Sequence, residues 1–341
     1  MIKEAIAKLV ERTDLTEAEA ENAMGEIMRG EATPAQIAAF ATALRMKGEG
    51  VSEIVGCARA MRSSALRVNC RRRPLVDTCG TGGDGFGTFN ISTIVAIVLA
   101  GAGVAVAKHG NRSISSRCGS ADMLEALGVR IDLGPDDIVR CIDEIGIGFL
   151  FAQRLHPAMK HAATARKEIG IRTIFNILGP LANPAGADIQ LLGTYSAALT
   201  VTLAEVLRSL DVERAMVVHG HGGLDELSTT GPNQVAYLNG GISTYTIIPS
   251  ELGLPAPSKD ALLGGTPQEN AAIAIEILNG KPGPRRDAVL LNAAAGMMLS
   301  GKADTMTAGL AMSAEAIDSG RALSKLKDLI SLTQRLAANT K

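Results

Sequence analysis

Residues 76–93 read VDTCGTGGDGFGTFNIST, an apolar strand start that passes into a glycine-rich loop and then into a helix. Five of the nine residues from 80 to 88 are glycine. Glycine carries no Cβ, so backbone N–H groups in such a loop turn inward and form an anion-binding nest. Asn90, Ser92 and Thr93 stand where the apolar run Ile91–Leu99 opens a helix, whose first amides aim at the same place. The pattern then repeats. VAKHGNRSISSRCGSADMLEALG (106–128) is a strand, a polar loop and a helix, and the loop carries Lys108, His109, Gly110, Asn111 and Arg112 with the hydroxyls of Ser113, Ser115, Ser116 and Ser120. Two successive βα units imply a parallel sheet, with both loops at the C-terminal strand ends where such sheets bind ligands. Together the loops read as a site for a ligand with several phosphate charges.

Outward from this stretch the chain divides. Residues 1–70 carry only helical periodicity, with Ile2, Ile6, Leu9 and Val10 on one face and capping signals at Thr16/Glu19 and Thr33-Pro34/Gln36. Arg71–Arg73 reads as a solvated linker. From Pro74 the spacing predicts strands over 75–79, 104–107, 129–133, 147–151, 189–194 and 215–219, with helices over 90–101, 121–127, 136–145 and 196–210 between them. LSTTGPNQVAYL (227–238) reads as a hairpin, and helices over 269–278, 285–299 and 305–338 break at Gly280, Gly301 and Gly320. Residues 156–185 interrupt the α/β rhythm and are expected to return to the helical part. The expectation is an α/β protein with a small discontinuous all-helical domain (1–71, with 156–185 returning) and a larger α/β domain (72–155 and 186–341). The larger domain has a mostly parallel central sheet flanked by helices.

Composition narrows the function classes. Net charge is −1, which gives no field for nucleic acid. Aromatics are 3% with no Trp, so the core is aliphatic. Five scattered cysteines form no CxxC pair, as expected of reduced thiols in the cytoplasm. The N-terminus has no signal-peptide core, and no run reads as a membrane span.

The individual motifs carry alternatives. Gly80–Gly85 fits GxGxxG, but the next strand ends at Ala107-Lys108 with no acid to hold a ribose, and no Lys follows the glycines as in a Walker loop. An ordinary tight turn explains one or two glycines, hardly five. Asp84 inside the loop repels a diphosphate unless a metal or a sugar hydroxyl answers it. Asp225-Glu226 follow a strand end and read equally as solvated loop charge or as hard ligands for Mg²⁺, with Ser92 as a hydroxyl ligand opposite. Lys108 suits a phosphate. Arg166 suits a phosphate or carboxylate, yet its spacing does not set it apart. His109 reads as a base or as a residue that shapes the loop. Cys79 and Cys118 lack a base nearby in sequence and read as small filler residues.

Taken together, GTGGDGFGTFNIST, AKHGNRSISSRCGSADMLEALG, HPAMKHAATARKEIGIRTIFNILGPLANP, HGHGGLDELS and FATALRMKGE closely resemble the anthranilate phosphoribosyltransferase family of tryptophan biosynthesis. The resemblance runs end to end. It implies transfer of the phosphoribosyl group of 5-phosphoribosyl 1-pyrophosphate (PRPP) to the amine of anthranilate, with Mg²⁺ as cofactor. It implies a PRPP pocket of Gly80, Gly83, Asp84, Thr88, Asn90, Ile91, Ser92, Thr93, Lys108, His109, Gly110, Asn111, Arg112, Ser113, Ile114, Ser115, Ser116 and Ser120. It further implies anthranilate contacts at Gly80, Asn111 and Arg166, with His109, His156 and Pro180 along the path, and metal ligands Ser92, Asp225 and Glu226. No covalent nucleophile is implied. Family members are homodimers joined through the helical domain. A pyrimidine nucleoside phosphorylase of the same fold would carry a Lys where this chain has Thr78 and an extra C-terminal domain. A non-catalytic nucleic-acid-binding relative would carry a basic groove.

Overall fold

A computed structural model describes residues 1–113 and 117–339. Helices α1 (Ile2–Val10), α2 (Glu17–Met28), α3 (Pro34–Lys47) and α4 (Val51–Ser63) open the chain. α2 and α3 start at the expected capping boxes. The Glu19 N–H donates to Thr16 Oγ1 at 3.3 Å while the Thr16 N–H donates back to Glu19 at 3.0 Å, and Thr33 and Gln36 repeat the exchange at 3.3 and 2.9 Å. Each such cap stabilises its helix by about 1 kcal/mol. A Cβ at Gly56 would stand 2.2 Å from the Glu17 carbonyl oxygen, so α2 and α4 pack backbone against backbone.

The α/β part follows as β1 (Leu75–Gly80), α5 (Ile91–Gly101), β2 (Ala105–Gly110), α6 (Ser120–Ala126), α7 (Pro135–Ile145) and β3 (Ile147–Phe151). An insert of α8 (Ala152–Leu155), α9 (Lys160–Ile169) and α10 (Phe175–Leu181) leads to β4 (Ile189–Gly193), α11 (Leu199–Ser209), β5 (Arg214–His219), β6 (Asn233–Asn239) and β7 (Gly241–Ile247). Helices α12 (Pro267–Leu278), α13 (Pro284–Leu299), α14 (Met306–Asp318) and α15 (Arg321–Asn339) close the chain.

The seven strands lie in the order β3-β2-β1-β4-β5-β6-β7, the first five parallel, with antiparallel pairing from β5 to β6 and again from β6 to β7. The strand order reverses direction between β1 and β4, where loops leave toward opposite faces and open a crevice. The central strands are buried on both faces, and successive side chains enter alternate cores with the strand period of two. Val76, Ile189, Leu191, Met216 and Val218 join α5 and α12–α15 in one core. Cys79, Leu192, Ala215 and Val217 face the other way, into a core shared with α1–α4, α10 and α11. Ala162 and Ala165 of α9 sit in that second core too.

Three local expectations are corrected. Residues 129–133 form no strand, although Val129, Ile131 and Leu133 are all buried. The place beside β2 is taken by β3, and the Arg130 N–H donates instead to Thr333 Oγ1 on α15 at 3.1 Å. The hairpin is β6–β7, where Asn239 pairs with Gly241 and the chain reverses at Gly240, whose φ of 69° favours glycine. The earlier LSTTGP segment is a polar turn closed by Ser228 Oγ and Thr230 Oγ1 at 2.7 Å. β2 runs on to Gly110, so Lys108 and His109 belong to a strand and not to the loop after it.

Candidate active site

The crevice between β1 and β4 is floored by glycine. Gly80 pairs in register with Gly193 at the strand ends. A Cβ on Gly80 would lie 2.2 Å from Asp225 Oδ2, and one on Gly193 would lie 1.5 Å from the Asp225 carbonyl oxygen. The loop after β5 therefore lies directly on both strand ends. Beyond Gly80 the chain turns through Gly82, Gly83, Gly85 and Gly87 at φ of 72°, 75°, 80° and 65°. These left-handed conformations are why the loop needs glycine. The Thr81 N–H donates to the Gly193 carbonyl at 2.9 Å and the Gly82 N–H to Asp225 Oδ2 at 2.6 Å. The N–H groups of Gly83, Asp84 and Gly85 find no acceptor among the described residues and are free for an anion. Thr88 bridges to Leu263, and the Gly264 N–H donates to the Gly87 carbonyl at 2.9 Å, which fixes the far end of the loop.

Two sequence-distant motifs meet here. Glu226 Oε1 accepts the Ser92 N–H at 3.1 Å, at the first turn of α5. Asp84 Oδ1 accepts the Phe86 N–H at 3.0 Å, and its Oδ2 accepts the Asp225 N–H at 3.4 Å. Asp225 and Glu226 are each only 9% exposed. Burial, with repulsion from Asp84 and Glu226, holds the Asp225 carboxyl well above the ordinary carboxylate range. Burial likewise pushes Glu226 up to about 7, against the pull of Lys108 and the Ser92 hydrogen bonds. Crowded buried carboxylates of this kind are short of positive charge, the deficit a divalent cation relieves. The donor set is hard oxygen throughout, which suits Mg²⁺. No three His, Cys, Asp or Glu side chains stand at ion-holding spacing among the described residues. An ion here would complete its shell with water and ligand phosphates, the usual habit of Mg²⁺.

Lys108 is buried beneath the loop. Its Nζ donates to the Thr78 carbonyl and to Ser92 Oγ, the latter at 3.3 Å. His109 lies beside it, with Nδ1 bonded to the Gly179 carbonyl at 3.1 Å and Nε2 buried without a partner among the described residues. Burial first, then the neighbouring His156 and Lys108, pulls the His109 imidazole down to about 3. His156 lies 5.2 Å away ring to ring, and burial lowers it to about 4. Both rings are neutral near pH 7, and His109 is a poor proton acceptor there.

In the second loop Arg112 is engaged by Asp122 and Glu125 of α6, each at 2.8 Å. Asp122 also accepts the Ser113 and Gly119 N–H groups at 3.1 and 2.9 Å. Ser120 Oγ accepts the Asn111 N–H and donates to its carbonyl, both at 3.2 Å. A Cβ on Gly110 would strike Ser120 Oγ at 2.2 Å. Asn90 is occupied by Cys118 and Asn270, Ile91 lies in the core, and Thr93 Oγ1 is buried without a partner among the described residues. Ile114, Ser115 and Ser116 lie outside the described residues. Cys79 and Cys118 are buried; burial holds the Cys79 thiol well above its ordinary range and Cys118 at about 11, so neither is a reactive thiolate.

Arg166 projects from α9, its guanidinium 5.4 Å from the Phe175 ring centroid. Burial lowers its pKa, and no acid among the described residues opposes this. No hydrogen bond links Arg166 to Gly80 or Asn111 among the described residues. Its neighbourhood is tied to the strand ends by buried polar groups that the sequence reading passed over. Asn183 Nδ2 donates to Asp77 Oδ2 at 2.8 Å and to the Ala107 carbonyl at 2.9 Å. Asp77 Oδ1 accepts the His109 N–H at 3.1 Å, and Gln190 Nε2 donates to the Pro180 carbonyl at 2.6 Å. Only the position of Asp77 inside an apolar strand hinted at this network.

The chain is similar over nearly its whole length to known proteins. Residues 72–323 match the glycosyl transferase family, a/b domain, and residues 3–65 the glycosyl transferase family, helical bundle domain. The anthranilate phosphoribosyltransferase of Moorella thermoacetica is 57% identical over 339 residues, 99% of this chain and 100% of that protein. The crystal structure of the Thermus thermophilus anthranilate phosphoribosyltransferase superposes with a TM-score of 0.93 at 46% identity, covering 97% of this chain and 99% of that one. The Saccharomyces cerevisiae enzyme in complex with PRPP and Mg gives 0.91 at 29% identity, over 98% of both chains. Its complex with 4-fluoroanthranilate gives 0.89 at 28% identity, again over 98% of both chains.

Proposed function

The chain belongs to the anthranilate phosphoribosyltransferase family, and from that premise we propose how its residues transfer the phosphoribosyl group of PRPP to the amine of anthranilate. The products are N-(5-phosphoribosyl)anthranilate and pyrophosphate, in tryptophan biosynthesis. The observation that carries the reading is the meeting of Asp225 and Glu226 with the glycine loop and the first turn of α5. That meeting brings a charge-deficient carboxylate pair to the mouth of an anion nest. The nucleoside phosphorylase and nucleic-acid-binding readings find no support in the comparisons.

The pyrophosphate end of PRPP is assigned to the free N–H groups of Gly83–Gly85 and to Thr88, with Asn90–Thr93 at the helix start. Asn111–Ser120 are assigned to the sugar phosphate, with Lys108 supplying positive charge beneath both loops. Asp225, Glu226 and Ser92 would hold Mg²⁺, with Asp84 alongside. Bound Mg²⁺ supplies neutralisation of the charge that builds on pyrophosphate as it leaves.

Arg166 is assigned to the anthranilate carboxylate. Its guanidinium is partly buried and lacks an acidic partner among the described residues, so a carboxylate arriving there meets an unpaired, bidentate donor. Held by Arg166 and faced by Asn111, the aryl amine is directed at C1. The amine lone pair forms the N–C1 bond as the C1–O bond to pyrophosphate breaks, through a transition state with oxocarbenium character and with inversion at C1. The new ammonium then loses one proton to water. His109 is too weak a base to be required, and its Nε2 lone pair can instead accept a hydrogen bond on the anthranilate path beside His156 and Pro180. Positioning and charge stabilisation supply the catalysis.

A homodimer through the helical part (1–71 with 156–185) is supported by Val10 and Met46, which stand 65% and 73% exposed there. A cytoplasmic location is supported by five free cysteines. No described helix is long and apolar enough to cross a membrane. The test is release of pyrophosphate from PRPP, which should require anthranilate and Mg²⁺ together; release unaffected by anthranilate would contradict the assignment.

A further inference from the structure

We propose that Arg172 is a positioning residue that latches the glycine loop to the segment carrying Arg166, and so couples the binding of the two substrates. The inference rests on the substrate assignment above but uses a residue given no role there. Arg172 stands at the corner between α9 and α10. α9 ends at Gly170 in a left-handed cap, and the Thr173 N–H donates to Asn176 Oδ1 at 2.9 Å, so the backbone on both sides of Arg172 is fixed. Arg166 lies only six residues earlier, on α9.

The side chain crosses to the sheet. Its Nη2 donates to the Gly83 carbonyl, in the middle of the anion nest. Its guanidinium lies over the Tyr195 ring, 4.5 Å from the centroid. The Tyr195 backbone N–H in turn donates to Thr81 Oγ1 at 3.3 Å. Thr81, Gly83, Arg172 and Tyr195 thus close a circuit between the first half of the glycine loop, the end of β4 and the insert. Gly83 has φ 75°, the left-handed conformation that favours glycine, and the place a Cβ would take lies in van der Waals contact with Arg172 Nε at 3.4 Å.

The chemistry requires arginine. A planar guanidinium lies flat on a ring while its edge still donates in plane, whereas an ammonium cannot do both. The Gly83 carbonyl has no other donor among the described residues, and without Arg172 the loop loses this tie to the α9–α10 corner. A ligand that orders residues 81–87 would then no longer order the segment that leads back to Arg166.

The test has two arms. In substrate-free protein, Arg172→Ala should speed hydrogen exchange about tenfold at the hydrogen-bonded loop amides of Thr81, Gly82 and Phe86 while core strands stay protected. In binding titrations with Mg²⁺, an anthranilate analogue should tighten PRPP binding in the unaltered protein by about fivefold, and this factor should fall to about one in Arg172→Ala. Arg172→Lys should fail to restore it, and Tyr195→Phe, which keeps the ring, should retain it. Tyr195→Ala carries the same test should Arg172→Ala fold poorly. The double replacement should be no worse than the worse single one. Unchanged exchange in Arg172→Ala, an unchanged coupling factor, or full rescue by lysine would overturn the latch. The exchange arm needs no substrate, so it judges the latch even where the unaltered protein failed to use anthranilate, a result that would instead overturn the functional reading.

Discussion

Asp225 Oδ2 accepts the backbone N–H of Gly82 at 2.6 Å, which joins the loop after β5 to the loop after β1 across the mouth of the crevice. The bond brings Asp225 to the mouth of the anion nest beside Asp84 and Glu226, and added positive charge relieves the repulsion among the three. Replacing Asp225 with Asn and Glu226 with Gln removes the ligands' charge while keeping their shape. The pair should raise the Mg²⁺ concentration needed for half-maximal rate about tenfold or more, since each charged oxygen lost weakens a hard-cation site. A Mg²⁺ titration of the initial rate reads this directly, and an unchanged midpoint would remove both residues from the metal site.

The same contact makes the strand-end glycines intolerant. Gly193→Ala places a methyl 1.5 Å from the Asp225 carbonyl, so the loop must move. Overpacking of this kind costs about 1–3 kcal/mol. The expected result is a lowered melting temperature together with at least a tenfold loss in kcat/KM for PRPP. Gly320→Ala, at the turn between α14 and α15 and also at positive φ, should not show the kinetic loss.

Arg166→Ala should raise KM for anthranilate about 10- to 100-fold, the loss expected for a charge-assisted pair of about 1.5–3 kcal/mol. KM for PRPP should move by less than about twofold, because Arg166 belongs to α9 and not to either phosphate loop. Steady-state kinetics varying each substrate in turn decides the point, and equal effects on both constants would remove the assigned role.

The buried histidines set a pH limit on stability. His109 and His156 hold pKa values near 3 and 4 in the fold, below the ordinary 6.5, because burial disfavours the charged ring. The unfolded chain therefore takes up protons near pH 6.5 that the folded chain refuses, so the contribution of these two residues to stability falls as the pH drops below that value, while the raised carboxyls of Asp225 and Glu226 act in the opposite direction. Between pH 7 and pH 5 the loss is about 2 kcal/mol per histidine. Denaturant melts at the two pH values read this as a difference between proteins: His156→Asn should lose about 2 kcal/mol less between pH 7 and pH 5 than the unaltered protein does.

Much of this was legible in the sequence, for physical reasons. Five glycines in nine residues can hardly be a plain turn, and capping boxes at Thr16 and Thr33 are local chemistry that needs no tertiary context. Long-range placement was not legible. Val129, Ile131 and Leu133 alternate as a strand does, but whether a sheet edge is free to receive them depends on β3, which follows later in the chain. Arg112 reads as a phosphate ligand, and its ion pairs with Asp122 and Glu125 become visible only once α6 is packed beside the loop. Arg172 has no distinguishing spacing, since its partners Gly83 and Tyr195 lie on other elements.

The most direct test of the central claim is anthranilate fluorescence with the purified chain. On adding PRPP and Mg²⁺ together, the account predicts that the signal decays to completion, and that withholding either one stops it. A signal that persists with both present, alongside phosphorolysis of thymidine or uridine, would contradict it.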